Sequence, residues 1–496
     1  MDQEKKYPQA IPIIPSQAIW GVLLIALAFR LWGVTNPLLD FHSWRQTLTA
    51  TIAYNYYAHG MSFLDPTPSQ LNQLGAFEFP LYTYIIAIFY KILGFHEIIG
   101  RLVSIAFSMS SIWFLYLLVK RYYNETAGII ACAFFAVLPL SVYYTRVFMP
   151  ESAMLFFSIA MIYMFTRWLD TRKWKHFVWA LLLSTLAFLV KLPTLYLGGP
   201  LLFLAWNKFR GKIFYQFPLY VFVVLILIPP GLWYSHVSDL HHKSSGESNL
   251  WLSLITNWDV LSTVRYWKLI FWTRLVEKMF AFTAFPFLVL GMFHARENKE
   301  QLVFHIWFAS VCVYFVIAAK LNFIHEYYQV PIIPVGCVFI GVYLSNYYKH
   351  KLSTNWQSDK IAWLVVLMLA FVPIHSIYKL NKRLNFNDAY LKIGKKIQQA
   401  TTEKDLLVVE DKNASPQFFY YSQRKGWGHS ISEKISPAIL EDYIKRGATH
   451  YVMANYSLHN TNPSLYSFLK SNHQLEFEEK SVTLFKLSNH LDLVNN

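Results

Sequence analysis

The sequence predicts an α-helical polytopic membrane protein of about eleven transmembrane helices, followed by a small soluble α/β domain. Of its 496 residues, 55% are hydrophobic and only 15% are charged, and the mean hydropathy is +0.30. This is more apolar surface than one soluble core could bury. After Lys379 the long apolar segments give way to short alternating ones. We therefore expect a transmembrane domain over residues 1–379 and an extracytoplasmic soluble domain over residues 380–496.

The net charge of +15 does not indicate nucleic-acid binding, because the lysines and arginines form short clusters between the apolar segments. Such clusters are typical of signals that orient a membrane protein. The three cysteines, Cys132, Cys312 and Cys337, all lie within apolar segments and show no Cys-x-x-Cys spacing. This argues against a disulfide framework and against a thiolate metal site.

Eleven apolar segments are long enough to serve as spans, although several are short. They cover residues 17–33, 101–119, 126–144, 152–168, 177–190, 193–206, 217–234, 275–294, 302–318, 329–347 and 360–378. The first is not accompanied by a small-residue cleavage site, which predicts an uncleaved span rather than a signal peptide.

With eleven spans, the basic clusters that separate the segments all fall on one side. These clusters are Lys5-Lys6, Lys120-Arg121, Arg172-Lys173-Trp174-Lys175, residues 207–212, His294 to Lys299, and Lys349 to Lys360. The positive-inside rule then places the N-terminus in the cytoplasm. The apolar segment 81–93 is too short to cross and carries Lys91, so we expect a helix that lies on the outer face or dips in.

The C-terminal region alternates between strand and helix patterns. We predict strands over residues 405–410, 448–454 and 481–487 and a helix over 437–445. No internal repeat is present, which disfavours a transporter built by duplication.

Asp40 opens the first loop predicted to lie outside the membrane, directly after the first span. A charge at such a boundary is costly unless it has a function. Sugar transfer from a phosphate-linked lipid requires a carboxylate that takes the proton of the attacking hydroxyl, together with cations that hold the departing phosphate. Asp40 is the candidate catalytic base.

Candidate cations lie at membrane boundaries on the same predicted side. We predict that the donor phosphate is bound by Lys191, Arg146, Lys320, His325 and Arg45. Lys191 is the strongest of these, because the positive-inside rule disfavours a cation there and the chain turns back at once through Pro193. For Arg101 we favour a snorkelling anchor.

Further polar residues on this side are candidates for acceptor binding or for a secondary acidic role, namely Glu78, Glu151, His42 and Tyr327. His42 and His325 could ligate a metal together with Glu78, but no ligand spacing of the His-x-x-x-His type supports such a site. Hydrogen-bonded interfacial histidines are the favoured interpretation.

Four sequence features then resemble a known group of enzymes. Residues 77–82, Phe-Glu-Phe-Pro-Leu-Tyr, are similar to a Phe-Glu-Lys-Pro-Pro segment, and residues 145–152, Thr-Arg-Val-Phe-Met-Pro-Glu-Ser, are similar to Ser-Arg-x-x-x-x-Asp-Ser. Lys191 matches a lysine at the end of a later span. Residues 325–334, His-Glu-Tyr-Tyr-Gln-Val-Pro-Ile-Ile-Pro, resemble a His/Arg-x-Tyr-Tyr-x-x-Pro-x-x-Pro element.

Together with Asp40, these features resemble the GT-C superfamily of membrane glycosyltransferases over most of residues 18–378. The resemblance is to the protein O-mannosyltransferase and lipid A aminoarabinose transferase relatives, which belong to glycosyltransferase families 39 and 83. Two positions depart from the pattern: Phe41 replaces a frequent glutamate, and Phe79 replaces the lysine that would contact the phosphate.

The resemblance implies an inverting transfer of a sugar from a polyprenyl-phosphate donor on the extracytoplasmic face of the bacterial inner membrane. Asp40 would be the base, and Lys191, Arg146 and either Lys320 or His325 would neutralise the phosphate. Some relatives bind a divalent metal and others need none, so the resemblance leaves a metal open. The partners would be the lipid donor, membrane lipids and an acceptor, with no nucleic acid.

Several alternatives stay open. The aminoarabinose-like segments favour a cell-envelope glycolipid or lipopolysaccharide acceptor, whereas a protein hydroxyl or a polysaccharide would suit the same fold. A lipid or sugar transporter should show paired broken helices and mid-membrane charges. A binding or scaffold protein that has lost its activity would depend on its C-terminal domain, and an assay with a radiolabelled carrier-linked sugar would separate it from an enzyme.

Overall fold

The computed structural model describes residues 14–72, 78–245, 258–351 and 359–488. Lys5, Lys6 and Phe77, which the sequence analysis used, lie outside these residues. The α-helices of these ranges are, in chain order, α1 (Ala18–Leu31), α2 (Ser43–His59), α3 (Leu81–Leu93), α4 (Ile98–Tyr122), α5 (Glu125–Val137), α6 (Pro139–Tyr144), α7 (Glu151–Thr171), α8 (Trp174–Val190), α9 (Gly198–Phe209), α10 (Phe217–Ser245), α11 (Trp258–Leu261), α12 (Val264–Trp267), α13 (Phe285–Met292), α14 (Leu302–Ile317), α15 (Ala319–Ile324), α16 (Ile332–Lys351), α17 (Lys360–Leu384), α18 (Ala389–Ala400), α19 (Pro416–Ser422), α20 (Pro437–Lys445), α21 (Leu458–Thr461) and α22 (Pro463–Asn472).

Segments of 3₁₀-helix and π-helix interrupt this series. The 3₁₀ segments are Leu192–Leu197, Arg210–Tyr215, Lys299–Gln301 and Glu326–Gln329, and Lys268–Met279 is a π-helix. The strands are β1 (Leu406–Asp411), β2 (Lys425–Ser430), β3 (His450–Ala454), β4 (Gln474–Glu479) and β5 (Val482–Lys486).

The described residues group into two compact units. The helical unit comprises the chain up to Val34 together with Arg101–Arg383, and the mixed unit comprises Thr35–Gly100 together with Leu384–Asn496. The first predicted outer loop therefore groups with the C-terminal region, which the sequence did not indicate. The predicted domain boundary between residues 379 and 380 stays a prediction.

Helical residues occupy most of each of the eleven predicted spans. Among the described residues, five helical segments are long and apolar enough to cross a membrane: Ile98–Tyr122, Glu151–Thr171, Phe217–Asp239, Lys299–Ile317 and Lys360–Ala400. Four shorter apolar helices accompany them: Ala18–Leu31, Leu81–Leu93, Glu125–Val137 and Trp174–Val190. The helix over residues 81–93 is confirmed, whereas the number of spans and their orientation stay predictions.

Large apolar side chains face outward from the helical unit. Leu24 is 68% exposed, Leu202 is 64% exposed and Leu367 is 66% exposed. Such surfaces are unfavourable in water but match the hydrocarbon of a bilayer. The unit thus presents an apolar exterior, as expected for helices that contact lipid.

The predicted span 126–144 is broken into α5 and α6 at Leu138. Leu138 has an extended backbone (φ −62°, ψ 139°) because the ring of Pro139 disfavours the helical conformation in the preceding residue. The break frees carbonyl groups at the end of α5, and the buried Arg30 guanidinium donates to Ala136 O at 3.0 Å and to Phe135 O at 3.3 Å. A cation at this end also complements the negative end of the helix dipole.

The predicted span 275–294 is also not one helix. The π-helix ends at Met279, Ala281 and Phe282 adopt left-handed backbones (φ 49° and 58°), and α13 begins at Phe285 with Pro286 in its first turn. A proline is well tolerated in the first turn of a helix but not in its interior, so it marks a new start.

The mixed unit contains a five-stranded sheet in the order β2-β1-β3-β5-β4. Strands β2, β1 and β3 are parallel, and β5 pairs antiparallel with both β3 and β4. Side chains alternate between two hydrophobic cores, one containing Val408 and Tyr451 and the other containing Leu407 and Val452. The α/β fold predicted for the C-terminal region is confirmed.

Strands β1, β3 and β5 and helix α20 lie where the sequence predicts them. Helix α20 is delimited by local signals: the Ser436 side chain accepts from Ile439 N–H, and Pro437 occupies the first turn. Strand β2 was not predicted, because Gly426 and Gly428 give it weak strand propensity. Strand β4 was not predicted either, since most of its residues are exposed at the sheet edge.

Candidate active site

Asp40 lies in a buried turn immediately before α2. Its side chain is 1% exposed. The Gln46 amide, in the first turns of α2, donates to Asp40 Oδ1 and also to Phe41 O at 3.1 Å. The start of α2 therefore fixes where the carboxylate of the candidate base lies.

The other predicted residues of this loop are also in the mixed unit. Arg45 and Glu78 form an ion pair with 2.5 Å between Nη2 and Oε2. His42 adopts a left-handed backbone (φ 60°) just before α2, and its ring meets the edge of Phe41 at 4.3 Å between centroids. Because Glu78 balances the charge of Arg45, this cation is a weaker candidate for an anionic ligand.

Glu151 and Lys191 form a buried ion pair in the helical unit, with 2.7 Å between Oε1 and Nζ. Glu151 is the first residue of α7, and Lys191 directly follows the last residue of α8. These termini are the ends at which the helix dipole favours an acid and a base, respectively. The Lys191 ammonium also lies 5.4 Å from the ring of Tyr327 and 5.6 Å from the ring of Tyr328.

The segment after α15 supplies the remaining predicted residues of the helical unit. The ring of His325 stacks on that of Tyr327, with 5.0 Å between centroids and 14° between planes. Lys320 is partly buried on α15. The structure thus brings Glu151, Lys191, His325 and Tyr327 into one chain of contacts.

Arg146 is fully buried and holds the carboxyl end of α1. Its guanidinium donates to Arg30 O at 3.2 Å and to Gly33 O at 2.8 Å. Arg101 donates to Val34 O at 3.0 Å and is only 1% exposed, so the predicted snorkelling interpretation of Arg101 is wrong. Both arginines satisfy backbone carbonyls that lack partners where a helix ends.

A second charged cluster, which the sequence analysis missed, surrounds Glu326. Lys278 contacts Glu326 Oε2 at 2.8 Å, Arg383 contacts Oε1, and the Tyr144 hydroxyl donates to Oε1 at 2.9 Å. Arg274 lies close enough to interact electrostatically with Glu326. Two helical segments far apart in the chain therefore deliver cations to one carboxylate, and α6 adds the Tyr144 hydroxyl.

The electrostatics of this cluster keep Glu326 ionised. Burial by itself would raise its pKa, but the positive charges of Arg383 and Lys278 outweigh burial and lower the pKa to about 2. Two cations, Lys278 and Arg383, contact this one carboxylate, so the cluster carries a net positive charge. The cluster is suited to hold a further anion.

One signal in the sequence could have located this cluster. Lys278 lies inside the predicted span 275–294, where a charged residue is costly and commonly functional. Arg383 carries no comparable signal, because it lies just beyond the last predicted span.

Comparisons with known proteins bear on this arrangement. The family model described as dolichyl-phosphate-mannose-protein mannosyltransferase matches residues 78–234. The crystal structure of ArnT from Cupriavidus metallidurans bound to undecaprenyl phosphate aligns with 96% of this chain and 99% of its own, with a TM-score of 0.64 and 14% identity. No curated protein sequence matches the chain significantly.

This chain has a GT-C glycosyltransferase fold. A second solved structure of similar fold is the archaeal oligosaccharyltransferase AglB from Archaeoglobus fulgidus, in complex with an inhibitory peptide and a dolichol-phosphate. It aligns with 91% of this chain and 70% of its own, with a TM-score of 0.58 and 11% identity. The predicted GT-C resemblance is confirmed, and the chain is an integral membrane protein.

The GT-C fold alone does not determine whether a metal ion binds, so the side chains that could ligate one have to be considered. Within the described ranges, no group of three or more His, Cys, Asp or Glu residues could hold a metal ion. Of the two predicted histidines, His325 stacks on Tyr327 and His42 contacts Phe41. Among the described residues there is thus no three-ligand site for a divalent ion, and no step of the proposed reaction is assigned to a metal.

Proposed function

We propose that this protein is an inverting glycosyltransferase that moves a sugar from a polyprenyl-phosphate donor to an acceptor of the cell envelope. The observation that carries the proposal is the whole-chain likeness to ArnT bound to undecaprenyl phosphate, which covers 99% of that chain. The acceptor proposed first is a hydroxyl or phosphate of a glycolipid such as lipopolysaccharide. The reaction would take place on the extracytoplasmic face of the bacterial inner membrane.

In this reaction Asp40 is the base. The acceptor oxygen attacks the anomeric carbon from the side opposite the phosphate, its proton passes to Asp40, and the bond between that carbon and the phosphate oxygen breaks. The electron pair of that bond stays with the polyprenyl phosphate, which departs. The hydrogen bond from Gln46 supports this role by holding the carboxylate in one position.

The departing phosphate requires cations. Lys278 and Arg383 are proposed as its principal ligands, because these two cations share the single carboxylate of Glu326, which leaves a net positive charge, and Lys278 keeps 27% of its side chain exposed. Lys191, Lys320 and His325 are retained as secondary ligands. Arg146 and Arg45, the other predicted ligands, already bind carbonyl groups and Glu78, respectively.

A protein acceptor is a second candidate. It is favoured by the match of residues 78–234 to a family described as protein mannosyltransferases. In that case Glu151 and Tyr327, predicted for acceptor binding, would meet a peptide rather than a glycolipid. The same assay can offer both acceptors.

The test is an assay of the purified full-length protein with radiolabelled sugars on undecaprenyl phosphate, offered with lipid A and with a Ser/Thr peptide. We expect label transfer to one acceptor. Asp40→Asn should lower kcat by about 100-fold or more while undecaprenyl phosphate still binds. Asp65→Asn, an exposed acid of the same loop, is the matched control and should retain activity. Full activity of the Asp40→Asn variant would remove Asp40 from the mechanism.

A further inference from the structure

The C-terminal region holds the loop that contains Asp40. Within the mixed unit, the Asn36 side-chain amide donates to Leu384 O at 3.4 Å, at the point where both chain segments enter the unit. Helix α2 packs against both α3 and α19. Residues more than 300 positions away in the sequence therefore pack against this loop and hold it in place.

Part of this support is backbone pairing along the edge of the sheet. Leu71 N–H donates to Gly426 O at 2.7 Å, and Gly426 N–H donates to Ser69 O at 3.1 Å. The Asn72 side chain adds two bonds, donating to Gly428 O at 2.8 Å and accepting from Gly428 N–H at 3.0 Å. Residues 69–72 of the loop thereby cover the edge strand β2, which would otherwise expose unpaired backbone groups.

Two side chains of α19 reach the turn of Asp40 itself. The Tyr421 hydroxyl accepts from Leu38 N–H at 2.8 Å, two residues before Asp40. The Gln417 amide donates to Ser43 Oγ at 3.0 Å, three residues after Asp40. The two bonds bracket the carboxylate on both sides along the chain.

The side chains involved are mostly buried, which makes their bonds persistent. Tyr421 and Gln417 are each 7% exposed, and Leu38 is fully buried. Water cannot readily replace a hydrogen bond in such surroundings, so losing one partner leaves a buried polar group unsatisfied.

We infer that Tyr421 and Gln417 are positioning residues that set the location of Asp40 for proton transfer. This inference rests on the proposed role of Asp40 as the base. It assigns to the C-terminal region a part in catalysis, since a displacement of about 1 Å of a reacting group can cost about 100-fold in rate.

The test compares two single variants with a matched control. Tyr421→Phe removes only the hydroxyl, and Gln417→Met removes the amide at nearly constant length. Tyr466→Phe removes a hydroxyl of the same region, which donates to Glu478 at 2.9 Å and lies away from the loop. We expect both test variants to lower kcat by about fivefold to about 100-fold with an unchanged donor KM, and the control to match the wild type.

Hydrogen exchange supplies a readout that does not depend on turnover. In Tyr421→Phe we expect the amide hydrogens of residues 36–44 to exchange at least about fivefold faster, because Leu38 N–H loses its acceptor. Tyr466→Phe should leave the exchange of this segment unchanged.

The possible results distinguish the proposed transferase function from the positioning role of Tyr421 and Gln417. If the wild type transfers no sugar from any lipid-phosphate donor, the proposed function fails, and exchange alone decides whether α19 holds the turn. If the wild type is active but both test variants keep the kcat of the control, the inference is overturned even when exchange accelerates. Unchanged exchange in Tyr421→Phe would overturn it as well.

Discussion

Lys191 and Glu151 form an ion pair of 2.7 Å in which the two side chains are only 5% and 1% exposed. The acid starts α7 and the base follows α8, so the pair joins the ends of two adjacent antiparallel helices. A buried pair of this kind adds little net stability, yet each charge depends on the other, because a lone buried charge is strongly unfavourable.

The first prediction concerns this pair. Glu151→Gln leaves Lys191 buried beside a neutral group and should lower the free energy of unfolding by about 3–5 kcal/mol. Thermal unfolding of the purified protein in detergent, followed by size-exclusion chromatography, measures the loss.

A matched control is the partly exposed pair of Lys120 and Glu125, 2.8 Å apart. Glu125→Gln should cost at most about 1 kcal/mol, because solvent screens that pair. The double variant Glu151→Gln with Lys191→Met should recover stability. Equal losses in Glu151→Gln and Glu125→Gln would contradict the assignment of Lys191 and Glu151 as a buried pair.

The second prediction concerns the cluster around Glu326. Lys278→Met should raise the KM for the lipid-phosphate donor by about 10-fold or more, since a charge-assisted hydrogen bond contributes about 1.5–3 kcal/mol. Lys379→Met is the control, because Lys379 pairs with Glu277 at 2.5 Å instead of Glu326. Competition by undecaprenyl phosphate measures donor binding directly. An unchanged KM in Lys278→Met would remove this residue from the phosphate site.

The third prediction concerns Arg30, which is fully buried. Its Nε atom donates to Ser108 Oγ at 2.6 Å and to Thr145 Oγ1 at 2.9 Å, and its other nitrogens bind carbonyl groups at the end of α5. Arg30→Met should leave these acceptors unsatisfied and sharply reduce the yield of folded protein, whereas the exposed Arg210→Met should not. The monodisperse fraction after membrane extraction measures this yield. Normal yield in Arg30→Met would show that α1 docks without the guanidinium.

The fourth prediction concerns the pH dependence of the sheet. Burial raises the pKa of Glu410, whose Oε2 accepts from the Tyr451 hydroxyl at 2.6 Å. The folded state therefore binds this proton more tightly than the unfolded state, where the pKa is about 4.3. The stability that Glu410 contributes is present below that value and is lost as the pH rises through the folded-state pKa.

Glu410→Gln should accordingly flatten the fall in stability of the C-terminal region between low and neutral pH. Pulse proteolysis in urea at graded pH, with fragments of residues 384–488 followed by mass spectrometry, measures this slope. Glu403→Gln, an exposed acid, should keep the wild-type slope. A Glu410→Gln variant with the wild-type slope would place the titration on another group.

Much of the helical architecture is encoded locally. Apolar length and charged interruptions are properties of contiguous residues, which explains why helices lie on the predicted spans and why residues 81–93 and 437–445 form helices with the predicted bounds. The breaks at Leu138 and at residues 280–284 were missed because apolarity does not distinguish one helix from two. Pro139 and Pro286 were the available signals.

The sequence by itself determined the class of protein, the positions of its apolar helices and the acid at the start of the first predicted outer loop. Only the tertiary structure decided which charges meet: Lys191 with Glu151, Arg383 and Lys278 with Glu326, and Arg45 with Glu78. It also decided that α19 supports the turn of Asp40 through Tyr421. The physical reason is that helix formation depends on neighbours along the chain, whereas the partner of a buried polar group depends on how distant elements pack.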